Sequence, residues 1–140
     1  MSDMFYVSTD KTKLNVELIH NFLSNDSYWA KGRSLETVKI SIENSLCFGV
    51  FSADDKMAGF ARVVTDYSVF GWIMDVFIHP DYRKLGLGKM LMDSIMTYEK
   101  LQGLQRWGLA TNDAHGLYEK YGFTGIKTPE KFMEKVNKPG

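Results

Sequence analysis

The chain has 140 residues, and its 17 Lys and Arg are balanced by 17 Asp and Glu. That length fits one domain, residues 1–140, and zero net charge argues against a general nucleic-acid binder, with only a local basic patch left open. Hydrophobic residues make up 44% and aromatics 14%, enough for a dense core and too much for a disordered chain. A single cysteine forms no internal disulfide, no secretory leader is read at the start, and no apolar run approaches the roughly 20 residues that span a bilayer. The expectation is a reducing, cytoplasmic setting with no membrane partner.

The elements follow in chain order. MFYV at 4–7 is a short apolar strand. Leu18, Ile19, Phe22 and Leu23 recur at helical spacing. A polar loop at 24–33, SNDSYWAKGR, carries two large aromatics. Ser34 can cap the next helix, with Glu36 favoured in its first turn and Leu35, Val38 and Ile42 on one face. Three strand candidates come next: 46–51, then 57–67 after the turn ADDK, then 71–78. Short connections make them an antiparallel meander. A helix is expected from about 86 to 101, with Leu87, Met90, Leu91, Ile95 and Tyr98 on its apolar face. RWGLA (106–110) reads as a strand, and NDAHGLYEKYGF as a helix ended by Gly122. FTGI, and FMEKV near the end, are expected to close the sheet.

The stretch from 71 to 101 carries the strongest chemistry. An apolar strand runs into RKLGLG, and the second glycine opens an amphipathic helix. The first turn of a helix leaves N–H groups without partners and adds a positive dipole end, so an anion, above all a phosphate, is stabilised there. Gly86 and Gly88 lack Cβ and let the backbone come close, while Arg83, Lys84 and Lys89 add countercharge. The P-loop pattern is absent, and the dinucleotide pattern fails at Leu91. A strand-to-helix turn using glycines for geometry alone stays open as the plainer reading.

The context favours the first reading. DVFIHPDYRKLGLGKMLM resembles the acetyl-coenzyme-A signature of the GNAT family of N-acetyltransferases, with its Arg/Gln-x-x-Gly-x-Gly/Ala loop. ATNDAHGLYEKYGF resembles the family's later motif, Ala-x-x-Leu-Tyr-x-x-x-Gly-Phe. The resemblance covers essentially the whole chain, most specifically 75–92 and 111–123. It implies an α/β (α+β) acyl-CoA acyltransferase fold, with a mixed central sheet, splayed fourth and fifth strands and about four helices. It further implies acetyl-CoA as cosubstrate, a primary amine as acceptor and direct acetyl transfer. Backbone groups of Val76, Phe77 and Ile78 would pair with the pantetheine arm. Amides of Arg83, Lys84, Leu85, Gly86, Leu87, Gly88 and Lys89 would cradle the pyrophosphate. Tyr118 falls where the family places a tyrosine near the thioester sulfur. The family's cofactor-contacting Asn comes seven positions earlier, which here is Thr111, with Asn112 beside it. Family members often pair through late strands, so a homodimer stays open.

The chemistry asks for a donor to the departing thiolate and an acceptor for the amine's proton. Tyr118 is the candidate donor. A thiol pKa of about 8.5 against a phenol of about 10 makes full transfer from an ordinary Tyr uphill by roughly 2 kcal/mol. The plainer reading is a core aromatic. Asp75, on the same strand face as Phe77, is the candidate base, against a structural carboxylate bonded to a neighbouring strand. Asp66 and Glu119 are weaker choices, and His115 is expected to be solvated. In this fold the loop holding Tyr28, Trp29, Lys31 and Arg33 borders the acceptor site, where Arg33 could anchor a carboxylate. The alternative is a surface loop pinned by Trp29. Arg62, Asp66 and Tyr67 could line the same cleft. His20, His79 and His115 lack paired ligand spacing, so no metal is expected, and Cys47 reads as core. The acceptor is read as a small or amino-acid-like amine. The rivals are a protein N-terminus or lysine as acceptor, and a module that binds acyl-CoA without turnover.

Overall fold

The apolar runs at 46–51, 57–65 and 71–78 become the long strands of a sheet in the computed structural model, which describes residues 4–137. The strands are β1 (Phe5–Ser8), β2 (Leu46–Ser52), β3 (Met57–Thr65), β4 (Phe70–Ile78) and β5 (Arg106–Leu109). Their spatial order is their sequence order, so each neighbour in the sheet is the next strand in the chain. Pairing is antiparallel from β1 to β4 and parallel between β4 and β5. The one parallel step needs a long crossover, and α3 (Leu87–Thr97) supplies it.

The helices cover both faces. α1 (Val16–Asn21) is capped by Asn15, whose side chain accepts the Leu18 N–H, and runs on into a π-helical turn, Phe22–Asp26. α2 (Leu35–Glu43) is capped by Ser34, whose hydroxyl accepts the Thr37 N–H at 3.1 Å. On this side Ile19, Phe22, Leu23, Val38 and Ile42 pack with Cys47, Phe51, Phe60 and Phe77. The Phe22 and Phe77 rings stack 4.1 Å apart. On the other side Leu87, Leu91, Met92 and Ile95 of α3 pack with Phe48, Val50, Ala61, Val63, Ile73 and Tyr118. Tyr118 sits on the short α4 (His115–Glu119).

Several expected boundaries move. The 86–101 helix is α3 followed by a separate 3-10 turn, Glu99–Leu101, because Tyr98 turns extended at ψ 128°. β3 ends at Thr65, and the backbone then reverses through Tyr67 at φ 62°. FTGI and FMEKV form no strands. Residues 123–137 are irregular except for a 3-10 turn at Pro129–Lys131, and Met133 is 96% exposed. With no neighbouring strand to satisfy its backbone, an apolar pattern alone does not make a strand.

Two irregularities in β4 position the site. β3 and β4 pair as Phe60↔Phe77 and Gly59↔Ile78, but as Arg62↔Met74 further along, so β4 carries one extra residue there. That is a β-bulge. Asp75 sits in it with φ 56°, a left-handed conformation unusual for a non-glycine. The bulge inverts the facing of the strand: Ile73 packs on the α3 side, whereas Phe77 packs on the α1–α2 side. β5 pairs only with Phe70–Ile73, so among the described residues the second half of β4 has no strand along that edge. The fourth and fifth strands therefore part at Ile73 and Leu109.

Candidate active site

A cavity of about 370 Å³ opens where β4 and β5 part. β4 contributes Trp72, Met74, Asp75 and Val76, and the segment after β5 contributes Thr111, Asn112 and Asp113. Tyr28, Trp29 and Arg33 close it from the α1–α2 loop, and Tyr118 enters from α4. The structure thus gathers Tyr118, Asp75, Val76, Thr111, Asn112, Tyr28, Trp29 and Arg33, which lie far apart in sequence, around one space. Tyr28 ties two walls together, its hydroxyl accepting the Asn112 N–H at 3.0 Å.

Tyr118 satisfies both of its sequence readings. Its ring belongs to the α3-side core, edge-on to Phe123. Its hydroxyl lines the cavity and makes no hydrogen bond among the described residues. Burial, then the Tyr28 and Asp113 charges, push its pKa above the ordinary phenol value. The hydroxyl therefore stays protonated throughout the neutral range and is a donor.

Asp75 is spoken for. Its side chain is 1% exposed. Oδ1 accepts the Trp29 indole N–H at 2.9 Å, and Oδ2 accepts Arg33 at 2.9 Å and the Arg62 Nε–H at 2.6 Å. Arg62 also donates to the Ser45 hydroxyl at 3.1 Å. With two guanidinium groups and an indole donating to it, the carboxylate has both of its oxygens hydrogen-bonded inside the protein. The geometry favours the structural alternative over the base. It also corrects the reading of Arg33, which is bound to Asp75 rather than open to an incoming carboxylate.

Asp66 is not among the residues lining the cavity. Its carboxylate accepts the N–H groups of Ser68, Val69 and Phe70 and so forms the β3–β4 turn, which holds its pKa below the usual range. Three successive acceptances just after a strand that ends at Thr65 mark a turn residue. Tyr67 is an exposed turn residue as well, and Arg62 reaches the site only through Asp75. His115 is exposed at the start of α4.

The glycine loop lies beyond this cavity, at the far end of the unpaired β4 edge. Lys84 (φ 66°) and Gly86 (φ 79°) are both left-handed. Alternating handedness turns successive N–H groups toward one concave side, which suits an anion. α3 begins at Leu87 with Gly86 as its N-cap and no side-chain cap; its first bond runs from Met90 N–H to the Gly86 carbonyl. The amides of Leu87, Gly88 and Lys89 consequently have no acceptor among the described residues. Leu85 is exposed beside them. The side-chain charges are partly engaged: Arg83 donates to the Ile78 carbonyl at 3.0 Å, and Lys89 pairs with Asp93 at 3.1 Å. The cradle is chiefly backbone. Phe77 points the other way, into the α1–α2 core, so only its backbone can face a ligand.

Sequence reading missed Trp72, Met74 and Asp113 as lining residues and Arg62 as the partner of Asp75. The missing signal is the bulge. Strict alternation along β4 fails at residue 75, and nothing in the local composition announces it. Among the described residues no cluster of His, Cys, Asp or Glu could hold a metal, and no helix is long and apolar enough to cross a membrane. Cys47 is buried and bonds weakly to backbone carbonyls, as expected of a core thiol.

Residues 44–125 match the family model described as acetyltransferase (GNAT) domain. A relative from Pyropia yezoensis named "Uncharacterized N-acetyltransferase ycf52" is 34% identical over 131 residues, covering 89% of this chain and 72% of its own length. A crystal structure from Xanthomonas campestris pv. campestris, described as belonging to the GNAT family, is 47% identical. It covers 95% of this chain and 93% of its own, with a TM-score of 0.92. Rv2747 of Mycobacterium tuberculosis, solved in complex with CoA, shares the fold at 21% identity and a TM-score of 0.71, over 87% of this chain and 73% of its own. A family model that spans more than half of the sequence, with relatives aligned over most of it, shows that the chain belongs to the GNAT family of acetyltransferases.

Proposed function

We propose that the chain is an acetyl-CoA-dependent N-acetyltransferase that passes the acetyl group directly to a primary amine of a small acceptor. The observation that carries this reading is the alignment of three features along one unpaired β4 edge. These are an uncapped helix N-terminus with free amides, a stretch of strand backbone open to pairing, and a cavity with the Tyr118 hydroxyl. The amides of Leu87, Gly88 and Lys89 would bind the pyrophosphate. The backbone of Val76 to Ile78 would bind the pantetheine arm and offer an N–H to the thioester oxygen as charge develops there.

The bound thioester supplies an acetyl carbon open to attack by an amine lone pair, with loss of the C–S bond. Tyr118 would donate to the sulfur as it leaves. The Arg62–Asp75–Arg33 cluster would hold the bulge and the acceptor loop in register. With Asp75 engaged, the amine's proton leaves through Asp113 or water in the cavity mouth. A cavity of about 370 Å³ lies in the size range of small-ligand sites and supports a small acceptor over a folded protein surface.

Thermal denaturation with acetyl-CoA tests the first half of this reading. At a hundredfold excess over Kd, binding stabilises by about 2.7 kcal/mol and raises the melting temperature by several degrees. An unmoved transition at millimolar acetyl-CoA would contradict it.

A further inference from the structure

α4 is only five residues long and has no side-chain cap, so its position comes from what holds it. One hold is Tyr121, two residues past its end. The Tyr121 N–H donates to the Tyr118 carbonyl at 2.9 Å, and the Phe123 N–H reaches the same oxygen at 3.3 Å. The Tyr121 hydroxyl reaches α3. It donates to Asp93 Oδ1 at 2.6 Å, with the Lys89 carbonyl a second acceptor at 3.3 Å. Asp93 Oδ2 accepts from Lys89 Nζ at 3.1 Å. Lys89 is one of the three residues at the start of α3 whose amides have no acceptor among the described residues. Tyr121 thus bonds Tyr118 through its backbone and the first turns of α3 through its side chain. The two helices also come close at Gly88, where a Cβ would lie 3.8 Å from Leu117. Burial, then the bond to Asp93, pushes the Tyr121 pKa up to about 12, so its hydroxyl stays a donor throughout the neutral range.

We propose that Tyr121 is a positioning residue for acetyl transfer: it ties α4 to the first turns of α3 and so sets where the Tyr118 hydroxyl stands. This deepens the acetyltransferase reading above and rests on it, because it needs Tyr118 as donor to the departing sulfur. A donor serves a leaving thiolate only within hydrogen-bond reach, about 3 Å. In that reading the cofactor is anchored at the start of α3 and along β4. A donor carried by a short helix therefore needs a reference to the same anchor. The Tyr118 ring packs edge-on to Phe123 in the core, which resists displacement without giving direction. The Tyr121 bond to a carboxylate is short and directional.

Tyr121→Phe removes this bond and keeps the ring, which packs against the α3-side core. Steady-state kinetics use acetyl-CoA with cadaverine, phenethylamine and lysine as amine probes. The variant is expected to lower kcat about tenfold and to leave KM for acetyl-CoA within about twofold of wild type. In a Tyr118→Phe background the same change should alter kcat by less than about twofold, because the hydroxyl it positions is gone. Asp93→Ala, on the exposed side of α3, should lose kcat as Tyr121→Phe does, and Asp93→Asn, which keeps an acceptor oxygen, should retain most of it. An equal fall in kcat in both backgrounds would overturn the proposal, as would a change confined to KM. No acetylated product from wild type with any of the amines sinks the transferase reading and this proposal with it. A low kcat in Tyr118→Phe beside a wild-type kcat in Tyr121→Phe sinks this proposal alone.

Discussion

Tyr118 and Asp75 show how one residue type takes its role from its neighbours. The Tyr118 ring is anchored in the core while its hydroxyl is left to the cavity, which is what a donor to a leaving thiolate requires. Tyr118→Phe is expected to lower kcat about 10²–10⁴-fold with little change in KM for acetyl-CoA, read by steady-state kinetics. Because its pKa is raised, the wild-type rate should not fall through Tyr ionisation until the pH passes the ordinary phenol value of about 10. Asp75 makes the contrasting case. If it is a clamp, Asp75→Asn lowers the melting temperature and leaves the acidic limb of the pH–rate profile where it was. Loss of that limb would restore Asp75 as the base. The sequence placed both residues at the site but could not choose between their roles. The choice depends on Arg62, 13 positions away, and Trp29, 46 positions away, reaching the same carboxylate.

At the scale of elements, the bulge in β4 and the turn into α3 organise everything else. Arg62 lies on β3 and closes the bulge by pairing with Asp75 at 2.6 Å. Arg62→Ala leaves a buried carboxylate without one of its charge partners, and the expected loss is about 3–5 kcal/mol in chemical denaturation. The two glycines of the loop should behave differently. Gly86 sits at φ 79°, so a side chain strains its backbone even though a Cβ would meet nothing. At Gly88 the backbone is ordinary helix, and a Cβ would lie 3.8 Å from Leu117, a normal contact. Gly88→Ala should therefore leave stability unchanged or slightly raised. If the loop cradles a pyrophosphate as proposed, the added methyl beside these amides should still weaken acetyl-CoA binding, measured as a smaller ligand-induced rise in melting temperature. Equal responses in Gly88→Ala and wild type would point to glycines serving geometry alone. This loop was readable in sequence because glycine spacing, cationic flanks and the helical pattern coincide. The closing strands were misread because the pattern at 123–126 and 132–136 finds no partner strand within the described residues.

Across the whole molecule, zero net charge hides a strongly uneven distribution. Arg33 and Asp75 line the cavity with Arg62 behind them, amides with no acceptor among the described residues stand at one end of the β4 edge, and Asp113, whose carboxylate has no partner among the described residues, lines the cavity at the other. Burial also leaves a signature in overall stability. It pushes the Cys47 thiol up to about 11 from an ordinary 9.0. The unfolded thiol thus loses its proton first as pH rises. Stability present below about pH 9 is lost as pH climbs through about 11, by roughly 2–3 kcal/mol. Urea midpoints at about pH 8 and pH 11 should fall less in Cys47→Ala than in wild type. The layered fold was legible from periodicity and motif order, since strand and helix patterns report burial directly. The candidate site was legible only in outline, because its walls come from loops and from a strand whose alternation breaks at Asp75. The proposed function has this edge and cavity carry acetyl to an amine. Thiol release from acetyl-CoA, measured with and without a primary amine, tests it most directly. The expected release depends on the amine, with one thiol per N-acetylated product. Release that is absent, or the same without amine, would contradict it.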